Sequence, residues 1–229
     1  MLSAGQKDEP PIAIDKSKCT GCGLCTEHCP PKALAFDSRE MTTEEVMEEL
    51  LRDRVFYEVS GGGITLTGGD PLSQLRFNLE VLRLCKREGL HTAIETSLLV
   101  EQANLRQFLQ VTDLFIVDIK TLDSRLHKEF TGKGNGTIKG NFEMLARENA
   151  DILVRVPMIP HYTGTEENVQ EIGAYVSRIR NDIEIELLNY NPLAKDKYRL
   201  MRQPFPLPND CAPFSEKEME KFQKLGMCR

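Results

Sequence analysis

The chemistry-bearing residues of this chain fall into two groups. The tighter is Cys19-Thr-Gly-Cys22-Gly-Leu-Cys25-Thr-Glu-His-Cys29-Pro30. Four thiols within eleven residues form the C-x2-C-x2-C-x3-C-P pattern of iron–sulfur proteins. Thiolates two residues apart wrap three corners of a cubane, and Gly21 and Gly23 let backbone N–H groups turn toward the sulfurs. Zinc also takes C-x2-C pairs, but its sites set one pair against a distant second pair, which this compact run does not do. Cys19, Cys22, Cys25 and Cys29 are therefore expected to ligate a [4Fe-4S] cluster. In two-cluster proteins the fourth cysteine of the pattern serves the other cluster. Cys29 thus either closes this cluster or partners a second one that the chain does not itself hold.

The second group lies at the ends of apolar runs. Gly68, Gly69 and Asp70 follow Ile64-Thr-Leu-Thr67, and Glu95 and Thr96 end the next run. Asp118 and Lys120 end a third, Arg155 sits inside a fourth, and Asn189 and Asn191 follow a fifth. An unpaired charge buried in an apolar strand costs several kcal/mol, roughly. These groups must therefore pair with one another, as Asp118 with Lys120, or with a ligand. Two glycines at the C-terminal end of a parallel strand let bare backbone approach a ligand, and sites form at that end of α/β folds. A tight turn before a helix is the plainer use of Gly-Gly. The spacing is neither G-x-G-x-x-G nor Walker A.

The elements that must position these residues alternate. Strands are expected over 64–67, 91–97, 114–120, 151–158 and 183–188, with helices over about 73–88, 101–110 and 138–148 and another running from the Thr163 box to about 180. Near-continuous apolar strands separated by helices mean a parallel sheet covered by helices. Thr42-Thr-Glu-Glu45, Thr163-Gly-Thr-Glu166 and Ser215-Glu-Lys-Glu218 read as capping boxes that open helices. Residues 1–14 read as an irregular lead-in, and 121–136 and the stretch from Asn189 as loops. The organisation expected is a small iron–sulfur module over 1–40 and an α/β body over 41–229. Cys85 falls on the apolar face of its helix and reads as a small core residue. Cys211 and Cys228 are expected to be unliganded.

A net charge of −6 with no basic block argues against nucleic acid as a partner. No run of 18 apolar residues and no signal-peptide core is present, which argues against a membrane and points to the cytoplasm. Seven cysteines in that reducing setting favour metal ligation over disulfides.

From Cys19 to about Tyr198 the chain resembles the activating enzymes of glycyl radical enzymes, a branch of the radical S-adenosylmethionine superfamily. The resemblance rests on Ser60-Gly-Gly-Gly-Ile-Thr-Leu-Thr-Gly-Gly-Asp-Pro71, Ile94-Glu-Thr96 and Asp113-Leu-Phe-Ile-Val-Asp-Ile-Lys120. It continues through His127, Thr131-Gly132, Arg155-Val-Pro-Met-Ile-Pro160, Ile185-Glu-Leu-Leu-Asn-Tyr190 and Lys197-Tyr198. It implies an α/β fold, a partial parallel (β/α) barrel with a ferredoxin-like iron–sulfur insert, holding S-adenosylmethionine against a [4Fe-4S] cluster. The implied reaction is reductive cleavage of S-adenosylmethionine to a 5′-deoxyadenosyl radical, which takes a hydrogen atom from a glycine of a partner glycyl radical enzyme. Flavodoxin or ferredoxin would donate the electron. By position, Gly68 and Gly69 would meet the amino group of the ligand, and Asp70 would belong to the same cofactor-binding set. Glu95, Thr96 and Asp118 would line its methionine end, with Ile119, Lys120 and Asn191 also in contact. The four cysteines would hold an auxiliary cluster, as an electron relay or as a docking and stabilising module.

The chain departs from the pattern in three places. The C-x3-C-x2-C motif that holds the catalytic cluster is absent from the 229 residues, and Cys22, Cys25 and Cys29 have its intervals in the wrong order. In the family that motif follows the first barrel strand and precedes the ferredoxin-like insert. The expectation is therefore that both strand and motif are missing here and that the chain alone is inactive. Its open sheet edge would favour self-association. The competing reading is an electron-transfer or binding module on a barrel. Asp70 stands where the family usually has Glu, and Asn191 where it usually has His, which removes a group titrating near neutral pH.

Overall fold

A computed structural model of the chain describes residues 2–4, 12–15, 17–36, 38–201, 203–208 and 210–226. It divides into two compact units, Met1–Thr42 and Thr43–Arg229. In the first, β1 (Leu2–Ala4) pairs antiparallel with β2 (Ile12–Ile14), Leu2 opposite Ile14. Residues 2–4 and 12–14, expected to be irregular, are therefore strands. The short Ile-Ala-Ile alternation suits a pleated strand, and three residues are too few to announce one. A four-residue helix, α1 (Leu24–Glu27), follows.

The second unit begins with α2 (Thr43–Leu51) and α3 (Arg54–Ser60). Five strands then alternate with helices. The order is β3 (Gly63–Leu66), a 3-10 turn at Pro71–Ser73, α4 (Leu75–Arg87), β4 (His91–Thr96), α5 (Gln102–Phe108) and β5 (Leu114–Asp118). The chain continues with α6 (Ser124–Thr131), α7 (Gly136–Arg147), β6 (Ile152–Met158), α8 (Glu166–Ile179), β7 (Glu184–Asn189), α9 (Ala194–Met201) and α10 (Glu216–Leu225). The sheet runs β3-β4-β5-β6-β7, every pair parallel. Sequential order with one helical layer is the arrangement of an open (β/α) barrel.

Period-two alternation gives this sheet two unlike faces. Ile94, Phe115, Val117, Val154 and Val156 share one face and are fully buried. They are sealed in one core with Leu82, Leu105, Phe142, Leu145, Ile172 and Phe222 from the helices. Each such side chain stabilises by roughly 1.5–3 kcal/mol. The opposite face carries Glu95, Asp118, Arg155 and Glu186, all partly or well exposed. In register, Arg155 stands between Asp118 and Glu186.

α6 and α9 occupy stretches read from the sequence as loops, and α3 lies in one to which no element was assigned. α8 is capped by Thr165, whose hydroxyl accepts from the Asn168 N–H, and not by Thr163. The Thr163 hydroxyl instead closes its own loop, donating to the Pro157 carbonyl and accepting from the Ile159 N–H. The box at Ser215 and Glu218 forms as expected. Cys85 is fully buried in a satellite core with Met47, Ile64 and Val81, and burial pushes its thiol pKa up. Cys211 is buried and free, while Cys228 lies outside the described residues. Among the described residues no helix is long and apolar enough to cross a membrane.

Candidate functional site

The C-terminal ends of β3, β4 and β5 enclose a cavity of about 280 Å³ lined by Thr67, Gly68, Gly69, Asp70, Glu95, Thr96, Ser97 and Asp118. Gly68 has φ +109°, a conformation open to glycine and strained for other residues. A Cβ placed on Gly68 or Gly69 would meet nothing within 4 Å. Since both line the cavity, bare backbone faces open space there.

The charges on this face are partly answered. Arg155 Nη1 lies 3.0 Å from Glu95 Oε1, and its Nε lies 2.6 Å from Glu186 Oε2. The Thr67 hydroxyl donates to Glu95 Oε2 at 2.9 Å, so Glu95 ties three strands together. Lys120 Nζ pairs with Asp118 Oδ2 at 2.5 Å. Asp118 Oδ1, by contrast, is buried with no hydrogen-bond partner. An orphaned carboxylate oxygen costs about 1–3 kcal/mol, and the residue that carries it also lines the cavity that bare backbone faces. A ligand bearing a cationic donor fits both features.

A larger cavity of about 650 Å³ lies at the ends of β6 and β7 and is mainly apolar. Phe130, Tyr162, Tyr190, Tyr198 and Phe205 line it, with Lys120, His127 and Asn191. His127 Nδ1 lies 2.7 Å from the Lys133 carbonyl. A carbonyl only accepts, so Nδ1 carries the proton. Asn191 Oδ1 accepts from the Leu193 N–H at 3.0 Å.

Gly68, Gly69, Asp70, Glu95, Thr96 and Asp118 are thus gathered around one cavity, while Lys120 and Asn191 line the other. Ile119 reaches neither: its side chain is in the core, and its N–H donates to the Arg155 carbonyl at 2.9 Å. Sequence reasoning passed over Ser97, whose hydroxyl at a strand end was the available signal. It also passed over Asn135, Asn141 and Asn168. Each of these buried amides donates to two backbone carbonyls in the loops after β4, β5 and β6.

In the first unit Gly21 and Gly23 have φ of +70° and +79°. The Leu24 N–H and the Thr20 hydroxyl hold the Cys22 thiol below its ordinary pKa. Cys19, Cys22, Cys25 and Cys29 are free thiols, each at least partly exposed. Among the described residues no three His, Cys, Asp or Glu side chains are gathered as a metal site. The fit of this segment to an iron–sulfur cluster therefore rests on the four-thiol donor set and the left-handed glycines that aim N–H groups at sulfur.

The family model of the radical SAM superfamily matches residues 17–172. The chain belongs to that superfamily. Similar proteins include a (2S)-3-sulfopropanediol dehydratase activating enzyme of Klebsiella oxytoca, 34% identical over 202 residues, covering 86% of this chain and 63% of the relative. A pyruvate formate-lyase-activating enzyme of Clostridium pasteurianum is 33% identical over 206 residues, 89% of this chain and 86% of the relative. The chain thus spans under two thirds of one radical SAM relative's length and most of another's. A solved domain of pyruvate-formate lyase-activating enzyme from Bacteroides vulgatus shares the fold, with TM-score 0.60 and 23% identity over 72% of this chain and 93% of that one. The five-stranded parallel sheet accordingly belongs to a partial barrel of the radical SAM type.

Proposed function

We propose that the chain is the S-adenosylmethionine-binding barrel of an activating enzyme that generates a glycyl radical on a partner enzyme. Superfamily membership brings a [4Fe-4S] cluster and S-adenosylmethionine as the cofactor pair. The observation that carries the reading is the partnerless Asp118 Oδ1 at the glycine-lined cavity. Asp118 and Glu95 offer carboxylates to the ligand's ammonium, Gly68 and Gly69 offer backbone, and Lys120 offers a cation to its carboxylate. The aromatic cavity, which Lys120 lines, suits the nucleoside end. One-electron reduction of bound S-adenosylmethionine supplies the group that abstracts hydrogen in this superfamily.

Cys19, Cys22, Cys25 and Cys29 would hold an auxiliary cluster. No residues of this chain match the C-x3-C-x2-C ligand set of the catalytic cluster, so no electron-transfer step is assigned to them. The protein partner is read as a glycyl radical enzyme and the electron donor as a flavodoxin or ferredoxin. Relatives named as activating enzymes for pyruvate formate-lyase, sulfopropanediol dehydratase and trans-4-hydroxy-L-proline dehydratase support the first of these.

The test is anaerobic reconstitution of the 229-residue chain, followed by iron analysis, titration with S-adenosylmethionine, and assay for 5′-deoxyadenosine under dithionite. The reading expects roughly four irons per chain from one cluster, saturable binding, and no 5′-deoxyadenosine from this chain alone. Four irons with no binding would leave an electron-transfer module on a barrel.

A further inference from the structure

Asp70 is gathered at the cavity with the other polar groups, but its hydrogen bonds set it apart. Oδ1 accepts from the Leu72 N–H at 3.0 Å and from the Thr96 hydroxyl at 2.8 Å. Oδ2 accepts from the Ser97 N–H at 3.0 Å and from the Ser97 hydroxyl at 2.6 Å. An ionised carboxylate has about four acceptor sites, and protein donors take all of them. Nothing is left for a ligand's ammonium.

The donors come from two places. Leu72 lies in the 3-10 turn after the glycines, and Thr96 and Ser97 lie at the end of β4. The carboxylate therefore ties the Gly68–Gly69 turn to the neighbouring strand. The receiving end is itself held. Leu98 is fully buried with φ +59°, a left-handed conformation costing roughly 1–2 kcal/mol outside glycine. Its N–H donates to Thr96 Oγ1 at 3.0 Å. Asn141 Nδ2 donates to the Leu98 carbonyl at 2.9 Å and to the Val100 carbonyl at 2.7 Å. The only hydroxyl hydrogen of Thr96 is already given to Asp70, so Thr96 serves the same tie.

We infer that Asp70 is a positioning residue. It locks the Gly68–Gly69 backbone against the end of β4 and leaves contact with the ligand to that backbone and to Asp118. This rests on the reading of the cavity as an S-adenosylmethionine site. It divides the labour there: one aspartate, saturated, sets geometry, and the other, with a free oxygen, supplies charge.

The test uses the 229-residue chain with S-adenosylmethionine as the probe, and compares Asp70→Asn with the unsubstituted protein. An amide cannot accept at both ends, so two of the four bonds are lost. The bonds pair by oxygen, Leu72 N–H with the Thr96 hydroxyl and Ser97 N–H with its own hydroxyl. Amide hydrogen exchange at one of Leu72 and Ser97, the one left facing the Asn NH2, should therefore rise at least tenfold in the ligand-free protein, with exchange in β5 and β6 unchanged. Affinity for S-adenosylmethionine should fall about tenfold. Ser97→Ala, the gentler variant, keeps the backbone donor and should give about a threefold change in both readings. In the double mutant the effects should fall short of additive, because both changes break one tie. Lost affinity with both amides still protected would mean that Asp70 touches the ligand, and would overturn the inference. An exposed amide with unchanged affinity would overturn it too. Failure of the unsubstituted chain to bind would instead sink the functional reading, and the exchange result would still decide whether Asp70 holds the turn.

Discussion

The two ends of the parallel sheet are built from the same residue types and put them to opposite uses. At the N-terminal end, a Cβ on Gly63 would stand 2.1 Å from the His91 carbonyl oxygen, so only glycine fits. There Asp113 accepts from Lys86 at 2.6 and 2.8 Å and from the Thr92 N–H and hydroxyl at 2.8 and 3.1 Å. At the C-terminal end, Gly69 has open space where a Cβ would go, and Asp118 keeps one oxygen buried and unanswered. Asp113 immediately precedes, and Asp118 ends, the same five-residue strand. The residue type thus does not distinguish scaffold from site, and the satisfaction of its polar atoms does. Asp70 sharpens the point, since it sits at the functional end with its valences filled.

Substitutions should separate the ends. Gly63→Ala forces β3 away from β4 and should destabilise by about 3 kcal/mol, read by urea unfolding. Unchanged stability would mean that the close approach is not real. Asp113→Asn should cost about 1–3 kcal/mol, because it leaves Lys86 and Thr92 poorly answered. Burial raises the Asp113 pKa, but Lys86 and Thr92 outweigh it and leave it below the ordinary 3.8. A carboxylate with a depressed folded pKa stabilises above its unfolded value and loses that contribution as pH falls through the folded one. The gap between unsubstituted protein and Asp113→Asn should therefore be full at pH 6 and shrink below about pH 4. A gap that persists in acid would contradict the assignment. The smallest effect on stability is expected at Gly69→Ala, within about 0.5 kcal/mol, together with at least a tenfold loss of S-adenosylmethionine affinity by calorimetry. A stable variant that binds as before would place the ligand elsewhere.

The sheet was legible because its strands are near-continuous apolar runs, such as Leu114-Phe-Ile-Val. α3, α6 and α9 were not, being seven or eight residues long with little burial to enforce a pattern. Val55, Phe56 and Val59 of α3 even face outward. Gly68, Gly69, Glu95 and Asp118 could be read as a site from strand-end chemistry. Ile119 was grouped with Asp118 by the family pattern, whereas its side chain packs into the core. The saturation of Asp70 was hidden, because three of its four hydrogen bonds come from Thr96 and Ser97, 26 and 27 residues away. Long-range hydrogen bonds leave no local signature in composition or period.

The most direct test of the C-terminal end as the binding end is a crystal of the chain soaked with S-adenosylmethionine. The account predicts the ligand's ammonium group within hydrogen-bond distance of Asp118 Oδ1, beside the Gly68–Gly69 backbone, with Asp70 still holding Thr96 and Ser97. A ligand bound at the Gly63 end, or Asp118 Oδ1 answered by one of the protein's own side chains with the cavity closed, would contradict it.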